Sequence, residues 1–139
     1  MTKDKFFFFD TGIFNILRPK GPLDTPEEVR GVSLEAFTVN EIRALNHYLE
    51  WDLNLFHWRT KNKEEVDLVL YGQKCFCAIE IKSADRVRDE FLDGLRLFKH
   101  DYPTSKALLL YSGDREYNYD DILIVPIERF LNNTEKYLF

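Results

Sequence analysis

The chain has 139 residues, 45% of them hydrophobic and 31% charged, with a formal charge of −5. That length fits one domain able to bury a core, the balance excludes a disordered chain, and the acidic sign argues against a broad basic surface for nucleic acid while leaving room for a local one. No apolar run approaches membrane-spanning length and no signal-peptide pattern opens the chain, so a cytoplasmic protein with no membrane association is expected.

Four consecutive aromatics, Phe6-Phe7-Phe8-Phe9, predict a strand covered on both faces. A stacking platform for bases would instead interleave aromatics with basic residues. Asp10 or Thr11 can cap a short helix to about Leu17, and Arg18 to Pro26, with Pro19, Gly21 and Pro22, reads as a loop. From about Glu27 to Glu50 the spacing is helical. At about 100° per residue, Leu34, Val39, Ile42, Leu45 and Leu49 fall on one arc, opposite Ser33, Asn40, Arg43 and His47. Glu35 falls inside the apolar arc with Thr38 and Asn46, whereas Glu41 lies at its edge and reads as solvated. A carboxylate aimed at a core needs either a buried cation, such as Lys82, or a bound metal.

Leu53 to Thr60 predicts a strand packed through Phe56 and Trp58, and Lys61-Asn62-Lys63 a turn. Arg59, Lys61, Lys63 and Lys82 form either a small positive rim for phosphates or an ordinary solvated turn. Two runs follow, Glu64–Leu70 and Cys77–Ser83, both with period-two alternation of apolar and polar residues. Tyr71-Gly72-Gln73-Lys74 would close them as a hairpin through a II′ turn with Gly72 at its first central position. In that register Val69 faces Phe76, Asp67 faces Ala78 and Glu65 faces Glu80, so Asp67, Glu80 and Lys82 share one face. Val66, Leu68 and Leu70 then meet Cys75, Cys77, Ile79 and Ile81 on the other, which becomes a core face. Cys75 and Cys77 are expected as a buried, reduced pair. His47, His57 and His100 have no zinc-site spacing.

Beyond Lys82, Ser83 or Asp85 can cap a helix to about His100, with Val87, Phe91, Leu95 and Phe98 at helical spacing. Lys106–Tyr111 is a continuous apolar run expected of a strand covered on both faces, giving a βαβ unit with the preceding strand and helix. Ser112 to Asp121 reads as a polar loop, Ile122–Val125 as a last strand, and Pro126 opens a short helix to about Leu131.

The chemistry centres on Asp67, Glu80 and Lys82, spaced Asp, twelve residues, Glu, one residue, Lys. Two carboxylates on neighbouring strands can hold Mg²⁺ or Mn²⁺, which needs only one or two carboxylates plus waters and substrate phosphates. A lysine beside them would orient or deprotonate an attacking water. A solvated sheet face also alternates in this way. At these residues the sequence resembles the PD-(D/E)xK superfamily of restriction-endonuclease-like nucleases and Holliday-junction resolvases, with Val66 in place of the proline. Gly31-Val32-Ser33-Leu34-Glu35 resembles the resolvase pattern of a glycine, three residues and a glutamate, which implies Glu35 as a third acid of the site.

Across nearly the whole chain, Lys5–Gly12, Gly31…Glu35, His57–Lys61, Glu65-Val66-Asp67 and Ile79–Ser83 together resemble the C-terminal domain of bacterial and archaeal AAA-type P-loop ATPases, the domain-of-unknown-function family 4143. The resemblance implies a single α/β domain over 1–139 with a restriction-endonuclease-like core: helix, three-strand antiparallel meander, helix, strand, in a mixed sheet flanked by helices. It implies Asp67, Glu80 and Glu35 as metal ligands, Lys82 as a catalytic partner, and Mg²⁺ or Mn²⁺ as cofactor. The implied partners are DNA, a P-loop ATPase module or homologous chain, and a second copy in a homodimer. The nucleotide-binding module and winged helix that precede this domain in the family are absent from the sequence. No G-x-x-x-x-G-K-[ST] loop is present, so no ATP site is expected. No G-x-S-x-G elbow or dinucleotide fingerprint appears either. Two functions follow: a metal-dependent DNA nuclease, or a non-catalytic regulatory or interaction module of an ATPase.

Overall fold

The computed structural model describes residues 25–139; the strand expected at Phe6–Phe9, the helix to Leu17 and most of the following loop lie outside them. Helix α1 (Pro26–Tyr48) begins where its sequence allows. The Thr25 hydroxyl accepts the Glu28 N–H (3.2 Å), the Glu28 carboxylate accepts the Thr25 N–H (2.9 Å), and Pro26 occupies the first turn, where no donor is missed. Its far end is tied down by Asn46, whose amide bonds both the N–H and the carbonyl of Leu53 at 3.0 and 2.9 Å. Thr38, the other polar residue on the apolar arc, returns its hydroxyl to the Leu34 carbonyl at 2.8 Å. Asn40 is buried although hydrophobicity places it opposite the core, so the covered arc of α1 is wider than its apolar residues alone indicate.

Among the described residues, six strands form one mixed sheet in the order β1-β2-β3-β4-β6-β5. β1 (Asn54–Arg59), β2 (Glu65–Tyr71) and β3 (Phe76–Ile81) make an antiparallel meander. A short 3₁₀ turn (Asp89–Leu92) and helix α2 (Asp93–Asp101) then carry the chain to β4 (Lys106–Tyr111), parallel to β3. β6 (Ile122–Pro126) lies parallel to β4, and β5 (Tyr117–Tyr119) pairs antiparallel to β6 at the edge. Helices α3 (Ile127–Asn132) and α4 (Thr134–Leu138) finish the chain. One face of the sheet packs Leu68, Leu70, Ile79 and Leu108 against Val39 and Ile42 of α1 and Phe130 and Leu138 of the last helices. The other packs Val69, Ala78 and Leu109 against Leu92, Leu95 and Phe98. A mixed α/β sheet flanked by helices is therefore what the chain builds.

Several expectations change. The β2–β3 pairing is Val69 with Ala78 and Leu70 with Cys77, two residues from the expected register. A shift of two preserves which residues share a face, so the two faces are nearly as expected, but the partners differ. The turn is one pair further out, with Gly72 N–H bonded to the Cys75 carbonyl at 2.8 Å, and no described glycine has positive φ, so it is not a II′ turn. Gly72 serves close approach instead: a Cβ there would lie 2.7 Å from Leu53 Cδ2 and 3.0 Å from the Asp52 carbonyl. The helix expected from Ser83 or Asp85 starts only at Asp89, as a 3₁₀ turn. Within the expected polar loop, Tyr117–Tyr119 pairs with the last strand because β6 offers it an unoccupied edge.

Candidate active site

β2 contains a bulge. β1 pairs Phe56 with Val69 and Trp58 with Val66, so His57 alone stands opposite both Asp67 and Leu68. The extra residue moves Val66 onto the Val69 face, away from Leu68 and Leu70, which corrects the face expected for Val66. It also opens the β2–β3 ladder at Asp67. Continuing the observed register by one step sets Asp67 opposite Glu80, and there side-chain carboxylates stand in for backbone carbonyls. The Asp67 N–H donates to Glu80 Oε2 at 3.2 Å, and the Ile81 N–H donates to Asp67 Oδ2 at 2.8 Å. Each acid is thus fixed by the other's strand.

Lys82, one residue past the end of β3, bonds Glu80 Oε1 through Nζ at 2.7 Å while its own N–H joins the Leu110 carbonyl at 2.9 Å. Its ammonium also lies 5.4 Å from the centre of the Phe91 ring, a residue whose helical spacing had marked it only as core. Asp67 and Glu80 are 6% and 5% exposed, so two acids sit largely out of water at the C-terminal end of β3, with the half-buried Lys82 beside them.

Burial pushes the Glu80 carboxyl up to about 7, and the Asp67 charge adds to it, against the opposing pull of Lys82 and the Asp67 N–H. Burial acts to lower Lys82, but the charge and hydrogen bond of Glu80, with Asp67 and Glu65 behind them, more than reverse this and hold it above its ordinary value. Lys82 is therefore kept as an ammonium in the metal-free chain. Glu65, which the sequence reading had not placed in the site, contributes to that field and lies 3.8 Å from His57 Nε2. The signal for it was the expected hairpin register, which set it opposite Glu80.

The fourth predicted residue, Glu35, stands on α1. Gly31, one turn earlier on the same helix face, would place a Cβ 3.6 Å from the Ser83 hydroxyl, so this face of α1 looks toward the residue after Lys82. Asp67, Glu80 and Lys82 are brought together by the bonds described above, and among the described residues no three His, Cys, Asp or Glu side chains converge as a metal-binding group. Lys82 is engaged with Glu80. Arg59, Lys61 and Lys63 are exposed at the β1–β2 connection, on the sheet end where Asp67 lies. Cys75 and Cys77 are buried free thiols, as expected.

The donor set fits a hard divalent cation in part: two carboxylates, oxygen only, crowded enough that one is driven toward protonation. The model of a family described as a domain of unknown function (DUF4143) matches residues 30–130. No curated protein matches the chain. No helix among the described residues is long and apolar enough to cross a membrane.

Proposed function

We propose a reading that starts from family membership: the chain belongs to the DUF4143 family, and within it acts as a divalent-metal-dependent nuclease of the PD-(D/E)xK type, hydrolysing DNA phosphodiester bonds. The observation that carries this is the Asp67–Glu80 pair, two buried carboxylates on adjacent strands with the Lys82 ammonium 2.7 Å from one of them. A pair made for stability alone would not set two acids side by side, because a buried charge contributes only when it is matched. The order helix, antiparallel meander, helix, strand supports the restriction-endonuclease-like assignment.

Asp67 and Glu80 would hold Mg²⁺ or Mn²⁺. When bound, the cation supplies charge stabilisation at the phosphoryl oxygens and acidifies a water. Glu35 is assigned an outer place, acting through water, since Mg²⁺ retains several waters even in complete sites. Lys82, held protonated, orients the attacking water and offsets charge on the phosphate; of the two roles open to it from sequence, this is favoured over proton abstraction. The Ile81 and Asp67 N–H groups keep both carboxylates aimed.

The test is Mn²⁺-dependent cleavage of supercoiled, single-stranded and branched DNA by the wild type, Asp67→Ala and Lys82→Ala, prepared identically. Wild-type cleavage that both substitutions abolish is expected. An inert wild type, or three proteins that cut equally, would sink the reading.

One observation favours the second reading, an interaction module for a P-loop ATPase or a second copy of the chain. Edge strand β1 carries the exposed Phe56, beside exposed Tyr71 and Tyr102 and the half-buried Trp58, around an apolar groove.

A further inference from the structure

A second cleft, of about 1040 Å³, opens between the loops that follow β3 and β4. Its walls are the loop that follows Lys82 and the loop that follows β4, held together by the Ser112 N–H on the Ala84 carbonyl at 3.0 Å. Gly113 lets them close, since a Cβ there would meet the Tyr111 ring and lie 2.8 Å from the Asp85 carbonyl. Tyr111 lines the cleft and is on the same sheet face as Leu109, the β4 partner of Glu80, so cleft and acid pair share a face. Asp85, at the near wall, is three residues past Lys82, within about 11 Å of chain.

Three arginines line it, and they are not equivalent. Arg129 is occupied by Glu116 at 3.3 Å, and Glu116 also accepts from the Tyr137 hydroxyl at 2.7 Å. The guanidinium groups of Arg86 and Arg115 have no ion pair or hydrogen bond among the described residues, and both residues are exposed. Tyr117, 40% exposed on edge strand β5, stands two residues beyond Arg115. Asp85 and Asp114 also line the cleft, so its charge is close to balanced and long duplex tracks of phosphate find little grip. What remains is two local cations with an aromatic ring between loops, the combination that holds one strand by backbone charge and base stacking.

We propose that this cleft binds a single-stranded polynucleotide, with Arg86 and Arg115 on its phosphates and Tyr117 against a base. The proposal rests on the nuclease reading for its purpose, because a strand held there leads to Lys82, but binding is measurable without cleavage.

The experiment is fluorescence polarisation of a labelled twelve-nucleotide DNA strand (about one loop-to-site span on the single-strand scale) in EDTA. Wild type, Asp67→Ala, the double variant Arg86→Ala/Arg115→Ala and Tyr117→Ala are compared, with single-stranded RNA and duplex DNA of equal length as further arms. Wild type is expected to bind, and Asp67→Ala, which loses a negative charge, should bind no more weakly. The arginine variant should bind about tenfold or more weakly, with a log–log salt slope shallower by about 0.7 for each phosphate released. Tyr117→Ala should lose roughly fivefold or more. Arg86→Lys/Arg115→Lys should retain the salt slope, which separates lost charge from lost folding. Binding untouched by the arginine and tyrosine substitutions, a preference for duplex, or no binding of any polynucleotide by the wild type would each overturn it. A wild type that binds through these residues yet never cleaves would leave the cleft standing and remove the nuclease reading instead.

Discussion

Stability should fall as pH rises through neutrality, and Glu80 should be responsible. Its carboxyl is raised from 4.5 to about 7 by burial first and by the Asp67 charge second. Between those two values the folded chain keeps a proton that the unfolded chain has lost. The folded state is then the better proton binder, and stability declines with pH. The contribution is complete below 4.5 and gone above about 7. At about 1.4 kcal/mol per pH unit, the interval sets a ceiling of roughly 3 kcal/mol, or about 10 °C in melting temperature for a chain of this size. Asp89 and Glu116 are shifted the other way, held low by the Arg96 and Tyr137 hydrogen bonds respectively, so their effect falls at more acid pH. The assay is thermal or urea unfolding from pH 5 to 8 in EDTA, for wild type and Glu80→Gln. The slope is diagnostic and the absolute level is not, because glutamine offers one acceptor where the carboxylate serves both Lys82 and the Asp67 N–H. Wild type should lose stability across the range while Glu80→Gln stays nearly flat. At pH 8, Mn²⁺ at about a hundred times its Kd should restore about 2.7 kcal/mol to the wild type. A flat wild-type profile, or an equal slope in both proteins, would refute the account of the acid pair.

Gly94→Ala should destabilise by about 2 kcal/mol or more, since a Cβ there runs into the Glu65 carbonyl and α2 would have to lift off β2; unchanged urea midpoints would contradict this. Phe98→Ala removes a fully covered ring that meets Trp58 at 5.3 Å and Tyr102 at 4.7 Å, with an expected loss of about 3–5 kcal/mol by chemical unfolding. Burial pushes both the Cys75 and Cys77 thiols up, so neither should react with a thiol reagent in the native protein and both should do so in denaturant. Rapid native labelling would contradict that.

Period-two alternation made β2 and β3 legible, together with the face shared by Asp67, Glu80 and Lys82, because any register shifted by an even number of residues keeps that sharing. The register itself was not legible: Gly72 signals a tight turn in sequence, yet its role is to admit Leu53 and Asp52, which approach from far along the chain. The bulge was equally hidden. Val66 looks like one more alternating apolar residue, and only pairing with β1 shows that His57 spans two residues of β2. The late start of α2 has a similar origin, since the chain after Lys82 first pairs alongside β4 through Ala84 and Ser112. Glu35 was found by its place on the helix arc, but an arc gives direction without distance.

Asp67 and Glu80 lie thirteen residues apart on a hairpin closed by only Gln73 and Lys74. Such local pairings close in microseconds, whereas β4 and β6 must wait for longer crossovers. The chain therefore meets its sharpest electrostatic conflict at one of its earliest contacts, well before the rest of the sheet can hold it in place. If the meander belongs to the folding nucleus, raising pH above 7 should slow refolding rather than hasten unfolding, and Mn²⁺ should speed it. Chevron plots at pH 5 and 8 would show which limb moves; movement of the unfolding limb alone would place the closing of the acid pair late.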